Sequence, residues 1–131
     1  MTITDYFESV QRSLRKNRSI GFVESPLTQV FDDYRGLFRA RVFFWNGSHL
    51  TIDEIVDTQL GHPELLRYSY TYVKNDEHVF RYDNAPHYPD FETFPHHKHV
   101  GPDETAQPAQ PPTLSQIFRE VEQILAAIDL D

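Results

Sequence analysis

A chain of 131 residues is long enough to bury one hydrophobic core and too short for two, so we expect a single domain over residues 1–131. The formal charge of −8 argues against general nucleic-acid binding, and the absence of cysteine excludes disulfides, thiolate nucleophiles and sulfur-based zinc sites. Because no apolar run of about 18 residues is present, we expect no contact with a membrane. The absence of cysteine fits a reducing compartment, and we expect a location in the cytoplasm of a prokaryote.

The first predicted element is an amphipathic helix. Its apolar residues recur at steps of three, four and seven, which is the spacing of one helix face. These residues are Ile3, Tyr6, Phe7, Val10 and Leu14. Asp5 followed by Glu8 has the spacing of an N-terminal capping pair. Cations between residues 12 and 18 suit the negative end of the helix dipole, and we interpret them as a solvated last turn.

The middle of the chain predicts an antiparallel meander of four to six strands. The segments with strand character are 30–34, 38–44, 49–55, 65–73 and 79–83. Arg35-Gly36, Asn46-Gly47 and Asn75-Asp76 are predicted turns, and Asn-Gly is the strongest hairpin signal among them. The segment 49–55 is also compatible with a helical turn.

Residues 84–101 hold three prolines and no clean periodicity, which predicts a long loop. Its aromatic residues and four histidines are a poor composition for disorder. We therefore expect an ordered loop with Phe91 and Phe94 as partly buried anchors. Residues 102–112 predict a proline-rich linker of extended, polyproline-like character.

The linker leads to a predicted helix over 113–129. Thr113 and Gln116 have the spacing of a capping box. The apolar stripe that follows requires a partner surface. We expect an α+β fold in which this helix and the N-terminal helix pack on one face of the antiparallel sheet.

The segment 80–99 carries the residues best suited to chemistry. It holds two cations, three carboxylates and four imidazoles within twenty residues. Histidine exchanges protons near neutral pH, and Arg81 can grip an oxyanion. Two imidazoles and a cation suffice for acid–base cleavage of RNA without a metal or another cofactor. The bland alternative is that these histidines cap strand ends in a proline-braced loop.

Metal binding is a second possible chemistry for the same segment. His97 and His99 are two residues apart, so both point the same way on an extended chain. Asp83 and His87 could complete a nitrogen–oxygen site, with Asp90 as a further oxygen ligand. The spacing matches no strong zinc signature.

Two strings resemble the hallmark of the TumE family, small prokaryotic proteins assigned as toxins of type II toxin–antitoxin modules. They are FRYDNAPH at residues 80–87 and TFPHHKH at residues 93–99. LRYSY at residues 66–70 and the C-terminal amphipathic helix also fit, so the resemblance covers about residues 65–130. It implies a cognate antitoxin and growth inhibition when the protein acts alone.

Chemistry applied to the matching positions predicts a metal-independent ribonuclease. His97 or His99 would be the base and His87 the acid. Arg81 and Lys98 would stabilise the phosphate. The predicted substrate-binding residues are Tyr82, Asp83 and Asn84.

Two other functions remain open. One is a non-enzymatic module that binds a protein partner through its sheet edge and C-terminal helix. The other is a metal-dependent hydrolase, with Asp83, His87, His97 and His99 as ligands. A homodimer is possible in each case.

Overall fold

The computed structural model describes residues 1–128 and places a helix at each end of a single antiparallel sheet. The helices are α1 (Ile3–Lys16) and α2 (Leu114–Ile128). The strands are β1 (Ile20–Val23), β2 (Leu27–Val30), β3 (Arg35–Phe44), β4 (His49–Asp57), β5 (Glu64–Lys74), β6 (Glu77–Asp83), β7 (His97–Val100) and β8 (Thr105–Pro108). The predicted α+β class is confirmed, with eight strands instead of four to six. Residue 129, the predicted end of the second helix, lies outside the described residues.

From β3 onward the sheet is a meander in which each strand pairs with the next one along the chain. β1 and β2 both pair with the outer side of β3, so together they form one edge of the sheet, and β8 forms the other. The two predicted hairpin turns connect β3 to β4 and β5 to β6. Asn75 and Asp76 both have positive φ, at 53° and 59°, as a tight turn of the primed type requires.

Both helices pack on the same face of the sheet, as the sequence predicts. Thr2, one turn earlier than the predicted Asp5, caps α1 and forms a capping box with Asp5. The Phe7 ring lies 6.2 Å from that of Phe38 on β3. At the other end of the molecule, the Phe118 ring of α2 lies 6.1 Å from that of Phe44. These contacts join the helices and the central strands into one hydrophobic core.

The short strands are where the predictions fail. β1 falls where no strand was predicted, and β2 begins three residues before the predicted 30–34. Arg35-Gly36 starts β3 instead of forming a turn, and the predicted loop and linker contain β7 and β8. Four-residue strands at or near a sheet edge bury few side chains, so alternation in the sequence is weak there.

Neither helix combines the length and the apolar character needed to cross a bilayer, as judged over residues 1–128.

The opposite face of the sheet, which neither helix covers, is called here the open face. Because strand side chains alternate, residues 81, 83, 97 and 99 lie on the open face, while residues 82 and 98 point toward the helices. The loop over residues 84–96 lies against part of this face. Its Tyr88 ring stacks on Phe91 at 4.9 Å and meets His97 edge-on at 4.8 Å. Phe91 is half-buried, but Phe94 is 43% exposed, so the prediction of Phe94 as an anchor is wrong.

Candidate functional site

The site is built where β6 and β7 pair on the open face. In this register Asp83 lies opposite His97, and Arg81 lies opposite His99. The pairing therefore brings together residues that are up to eighteen positions apart in the sequence. Asp83, His97 and His99 are all buried, with exposed fractions of 7%, 1% and 7%. The prediction that His97 and His99 point the same way is confirmed.

The Asp83 carboxylate is the centre of this cluster. Its Oδ1 accepts a hydrogen bond from the Ala85 backbone N–H at 3.0 Å and lies 2.9 Å from His97 Nε2. Its Oδ2 accepts from Arg81 Nε at 3.0 Å and lies 3.7 Å from His99 Nε2. Arg81 in turn donates from its other end to Glu104 at 2.8 Å. A buried carboxylate is costly without such partners, so these contacts hold it in place.

The backbone decides which nitrogen of each ring faces the carboxylate. His97 Nδ1 lies 3.0 Å from the Pro95 carbonyl oxygen, and His99 Nδ1 lies 3.0 Å from the Glu104 carbonyl oxygen. A carbonyl oxygen only accepts, so each Nδ1 must carry the proton of its ring. In the neutral rings, both Nε2 atoms therefore present a lone pair toward Asp83.

A pocket of about 710 Å³ opens on the same face, beside the cluster. Asp83, His99 and Arg81 lie in its wall together with His87, an exposed residue of the covering loop. Further along the open face, β3, β4 and β5 contribute Arg39, Asp53 and Arg67. Arg39 donates to Asp53 at 2.5 Å. The three guanidinium groups of the wall stand beside the three carboxylates of Asp53, Glu54 and Asp83, so the wall carries both charges.

Three predicted site residues do not face the pocket or are not free to bind a ligand. Lys98 and Tyr82 lie on the helix face, where Lys98 Nζ and Tyr82 Oη both donate to the Glu120 carboxylate of α2 at 2.7 Å. Burial disfavours the charged Lys98, but the hydrogen bonds to Glu120 and Tyr82 outweigh it and raise the Lys98 pKa. Asn84 uses its side-chain amide to bind the β5 backbone at Leu66 and Tyr68. Strand alternation explains the first two, because residues 82 and 98 have the parity opposite to 81, 83, 97 and 99.

His97 is brought to the cluster but cannot reach a substrate. Both of its nitrogens face protein atoms and the ring is 1% exposed, so it cannot exchange a proton with a bound molecule directly. His87 and His99 remain as the imidazoles of the pocket wall.

The sequence did not point to three pocket residues. Arg39 and Arg67 lie on strands remote from the histidine-rich segment, and their position beside it follows from the register of β3, β4 and β5. Tyr88 directly follows the string at residues 80–87, next to His87, and it lies in the pocket wall. The available signal was strand alternation, which places Arg39 and Arg67 on the face opposite to the buried apolar residues of their strands.

Comparison with known protein families adds the identity of the chain. Residues 10–128 match the family described as Toxin TumE. The match covers nearly the whole chain, so this protein belongs to the TumE family, and it is the toxin of a toxin–antitoxin system. Membership in a toxin family implies a cognate antitoxin as partner. Searches of curated proteins and of solved structures found no match.

Proposed function

We propose that this toxin cleaves RNA phosphodiester bonds in the open-face pocket. The observation that carries the proposal is the gathering of three guanidinium groups and two imidazoles around one cavity in a chain of net charge −8. The same wall also carries the carboxylates of Asp53, Glu54 and Asp83, and the guanidinium groups beside them are the contacts suited to the phosphates of a polyanionic ligand. A cavity of about 710 Å³ is within the size range of small-ligand sites and accommodates a nucleotide.

The guanidinium groups supply the phosphate contacts. Arg81 is held from both sides by Asp83 and Glu104, and Arg39 is held by Asp53, so both guanidinium groups are fixed in position although carboxylates offset their charge. Arg67 is exposed in the same wall. Guanidinium forks match the oxygens of a phosphate, and they stabilise the charge that develops during its attack.

The remaining residues of the wall match the other needs of RNA cleavage. Attack by the 2′-hydroxyl requires that one group accept a proton and that another donate a proton to the leaving oxygen. In this proposal His87, which is exposed in the covering loop, makes one of these transfers, and His99 and Asp83 line the same pocket. The Tyr88 ring offers an aromatic surface for stacking a base.

The test is cleavage of labelled RNA by purified protein carrying pocket variants. Arg67→Ala should lower the cleavage rate about 10-fold or more, since a hydrogen bond to a charged group is worth about 1.5–3 kcal/mol. His87→Ala should lower it about 100-fold or more, the range of a lost acid–base group. The matched control is Arg12→Ala, which removes an exposed arginine of α1 far from the pocket.

The same variants should relieve growth inhibition in cells that lack the antitoxin, in proportion to their loss of cleavage. An equal effect of Arg67→Ala and Arg12→Ala would contradict the proposal. So would a protein that inhibits growth and leaves every RNA tested intact.

A non-enzymatic binding function is the second candidate, and it is supported by the β1–β2 edge of the sheet. Several large apolar side chains are exposed there, and all four residues of β2 are exposed. They include Phe22, Leu27, Val30, Phe31 and Trp45. An apolar sheet edge is a surface for strand addition by a protein partner, and the antitoxin is the partner that the family implies. Growth inhibition that is lost in Val30→Lys and retained in His87→Ala would favour this function.

A further inference from the structure

We propose that Asp83, His97 and His99 form a binding site for one divalent transition-metal ion at the wall of the open-face pocket. The binding itself does not depend on RNA being the substrate, while any part of the ion in cleavage rests on the function proposed above.

The first argument is the arrangement of ligand atoms. One nitrogen or oxygen from each of the three residues lies within 4.8 Å of the other two. Ligand atoms bound tetrahedrally at about 2.0–2.2 Å from one zinc ion are about 3.3–3.6 Å apart. Asp83 Oδ1 lies 2.9 Å from His97 Nε2, and Asp83 Oδ2 lies 3.7 Å from His99 Nε2. These two distances bracket that separation.

The second argument is the orientation of the two rings. Each Nδ1 donates its proton to a backbone carbonyl, which is the outer contact that metal-bound histidines usually make. That contact fixes the tautomer and aims the Nε2 lone pair of both rings into the same space. This arrangement is unfavourable when both rings are neutral. The Nε2 lone pairs of His97 and His99 and the Asp83 carboxylate oxygens then face one another with no proton between them.

The third argument is that His97 Nε2, although buried, has no hydrogen-bond partner among residues 1–128. It lies 2.9 Å from Asp83 Oδ1, but the direction of an N–H on this nitrogen does not meet hydrogen-bond geometry. A metal ion explains the misdirection. Two ligands of one ion subtend an angle of about 90–110° at the metal, so each lies well off the axis of the other's lone pair.

The neighbouring charges do not exclude an ion. Arg81 contacts only one lone pair of the Asp83 carboxylate, which has about four. Its charge is shared with Glu104 at 2.8 Å. Two imidazoles with one carboxylate suit zinc, manganese, iron, cobalt or nickel better than magnesium or calcium, which prefer oxygen ligands. The sequence-based ligand set included His87, but that residue is not part of this cluster.

The test uses cobalt(II) as a visible probe. Full-length protein is freed of metal with a chelator, the chelator is removed, and CoCl₂ is titrated while visible absorption is recorded. We expect saturation at one ion per chain, displacement by Zn²⁺ and no displacement by excess Mg²⁺. Asp83→Asn and His99→Gln should lose the cobalt spectrum, with folding verified by circular dichroism.

The matched control is His78→Gln. His78 also has its Nδ1 against a backbone carbonyl, that of Gly101 at 2.8 Å, and its buried Nε2 likewise has no hydrogen-bond partner among residues 1–128. It lies outside the cluster, so this variant should bind cobalt like the wild type. His87→Gln should also retain binding.

Several results would overturn the site. They are absence of binding to the wild type, equal binding to Asp83→Asn, or loss of the spectrum in His78→Gln or His87→Gln. If Asp83→Asn does not fold, His99→Gln decides, because His99 lies at the pocket wall. Failure of the function gives a different pattern, in which cobalt binds and RNA stays intact. If the protein binds no cobalt and still cleaves RNA in the presence of chelator, the metal site is contradicted and the proposed function is retained.

Discussion

Two buried carboxylates lie on opposite faces of this sheet, and their partners differ in chemical kind. Glu54, on the helix face, is 2% exposed and accepts hydrogen bonds from the hydroxyls of Tyr6 at 2.6 Å and Tyr70 at 2.5 Å. Asp83, on the open face, is 7% exposed and is surrounded by Arg81 and the two imidazoles of His97 and His99. Burial alone therefore does not distinguish a structural carboxylate from a reactive one.

The partners make the distinction. Burial, followed by the charge of Glu54, raises the pKa of Tyr6 and Tyr70, so both phenols keep their protons at neutral pH and serve only as donors. An imidazole can instead gain a proton, lose one or bind a metal. Both residues contribute to the lining of the open-face pocket, but Glu54 is 2% exposed and bonds to Tyr6 of α1. The Asp83 carboxylate instead contacts Arg81 and lies near His99, and both of these residues also line the pocket. We infer that Glu54 anchors the helix and that Asp83 serves the function.

The largest expected effect is a difference in RNA cleavage between variants of Asp83 and variants of Glu54. Asp83→Asn keeps the shape of the side chain and removes its charge, so it should lower RNA cleavage about 100-fold or more, as the loss of a group at a reacting centre does. Glu54→Gln makes the same chemical change on the other face and should leave cleavage per folded molecule unchanged. Initial rates are compared at equal concentrations of folded protein. Similar losses in both variants would remove the distinction.

The second effect separates them by stability. Glu54→Ala leaves the hydroxyls of Tyr6 and Tyr70 buried without their acceptor, and each unsatisfied group costs about 1–3 kcal/mol. For the two hydroxyls together, we expect a loss of about 2–6 kcal/mol in the free energy of unfolding, measured in urea. His87→Ala, in the exposed loop, is the control and should change stability little. If Glu54→Ala loses less unfolding free energy than the control His87→Ala, the hydroxyls of Tyr6 and Tyr70 must find other hydrogen-bond partners.

Periodic elements could be predicted because their residues alternate or recur at helical spacing. α1, α2 and the long central strands bury one side, so the sequence of each one carries the pattern by itself. Glu54 was missed, although it shares the parity of Ile52 and Val56 and so had to be buried with them. A polar residue at an inward position is the signal that was available.

The candidate site was predictable only in part, because the register in which two strands pair cannot be deduced from the sequence of either strand alone. The strings at residues 80–87 and 93–99 named Asp83, His87, His97 and His99. Strand parity was applied to residues 97 and 99 but not to residues 82 and 98, which face the helices. Arg39 and Arg67 required the pairing of three strands, which depends on turns and on a bulge between β4 and β5.

A smaller effect is the pH dependence that Glu54 gives to stability. Burial raises the pKa of Glu54, and the hydrogen bonds from Tyr6 and Tyr70 offset this only in part. A raised pKa means that the folded state binds this proton more tightly than the unfolded state. Stability should therefore fall as the pH rises from the ordinary carboxyl range through the raised value.

Glu54→Gln cannot titrate, so its unfolding free energy should lack this contribution. Urea unfolding of both proteins between about pH 4 and pH 8 gives the difference as a function of pH. The wild type should lose stability relative to the variant as the pH rises. A difference that stays constant, or that has the opposite sign, would contradict a raised pKa.

The smallest expected effect concerns Lys98, which the sequence placed among the catalytic residues. Its ammonium group bonds to Glu120 of α2 at 2.7 Å, on the face away from the pocket. Lys98→Met keeps most of the apolar stem and removes the charge, so RNA cleavage should stay at the wild-type rate. Stability should fall by about 1 kcal/mol, the upper value for an exposed ion pair, because this pair is partly buried.

Arg81→Met is the matched comparison for Lys98→Met. Arg81 lies on the neighbouring strand with its side chain on the open face, and it contacts Asp83 and Glu104 beside the pocket. Loss of this cation should reduce cleavage at least about 10-fold, since it removes a charged contact to phosphate. If Lys98→Met loses cleavage to the same extent while its unfolding curve is unchanged, the two faces of the sheet are not functionally separate. The reaction would then depend on residues beneath α2.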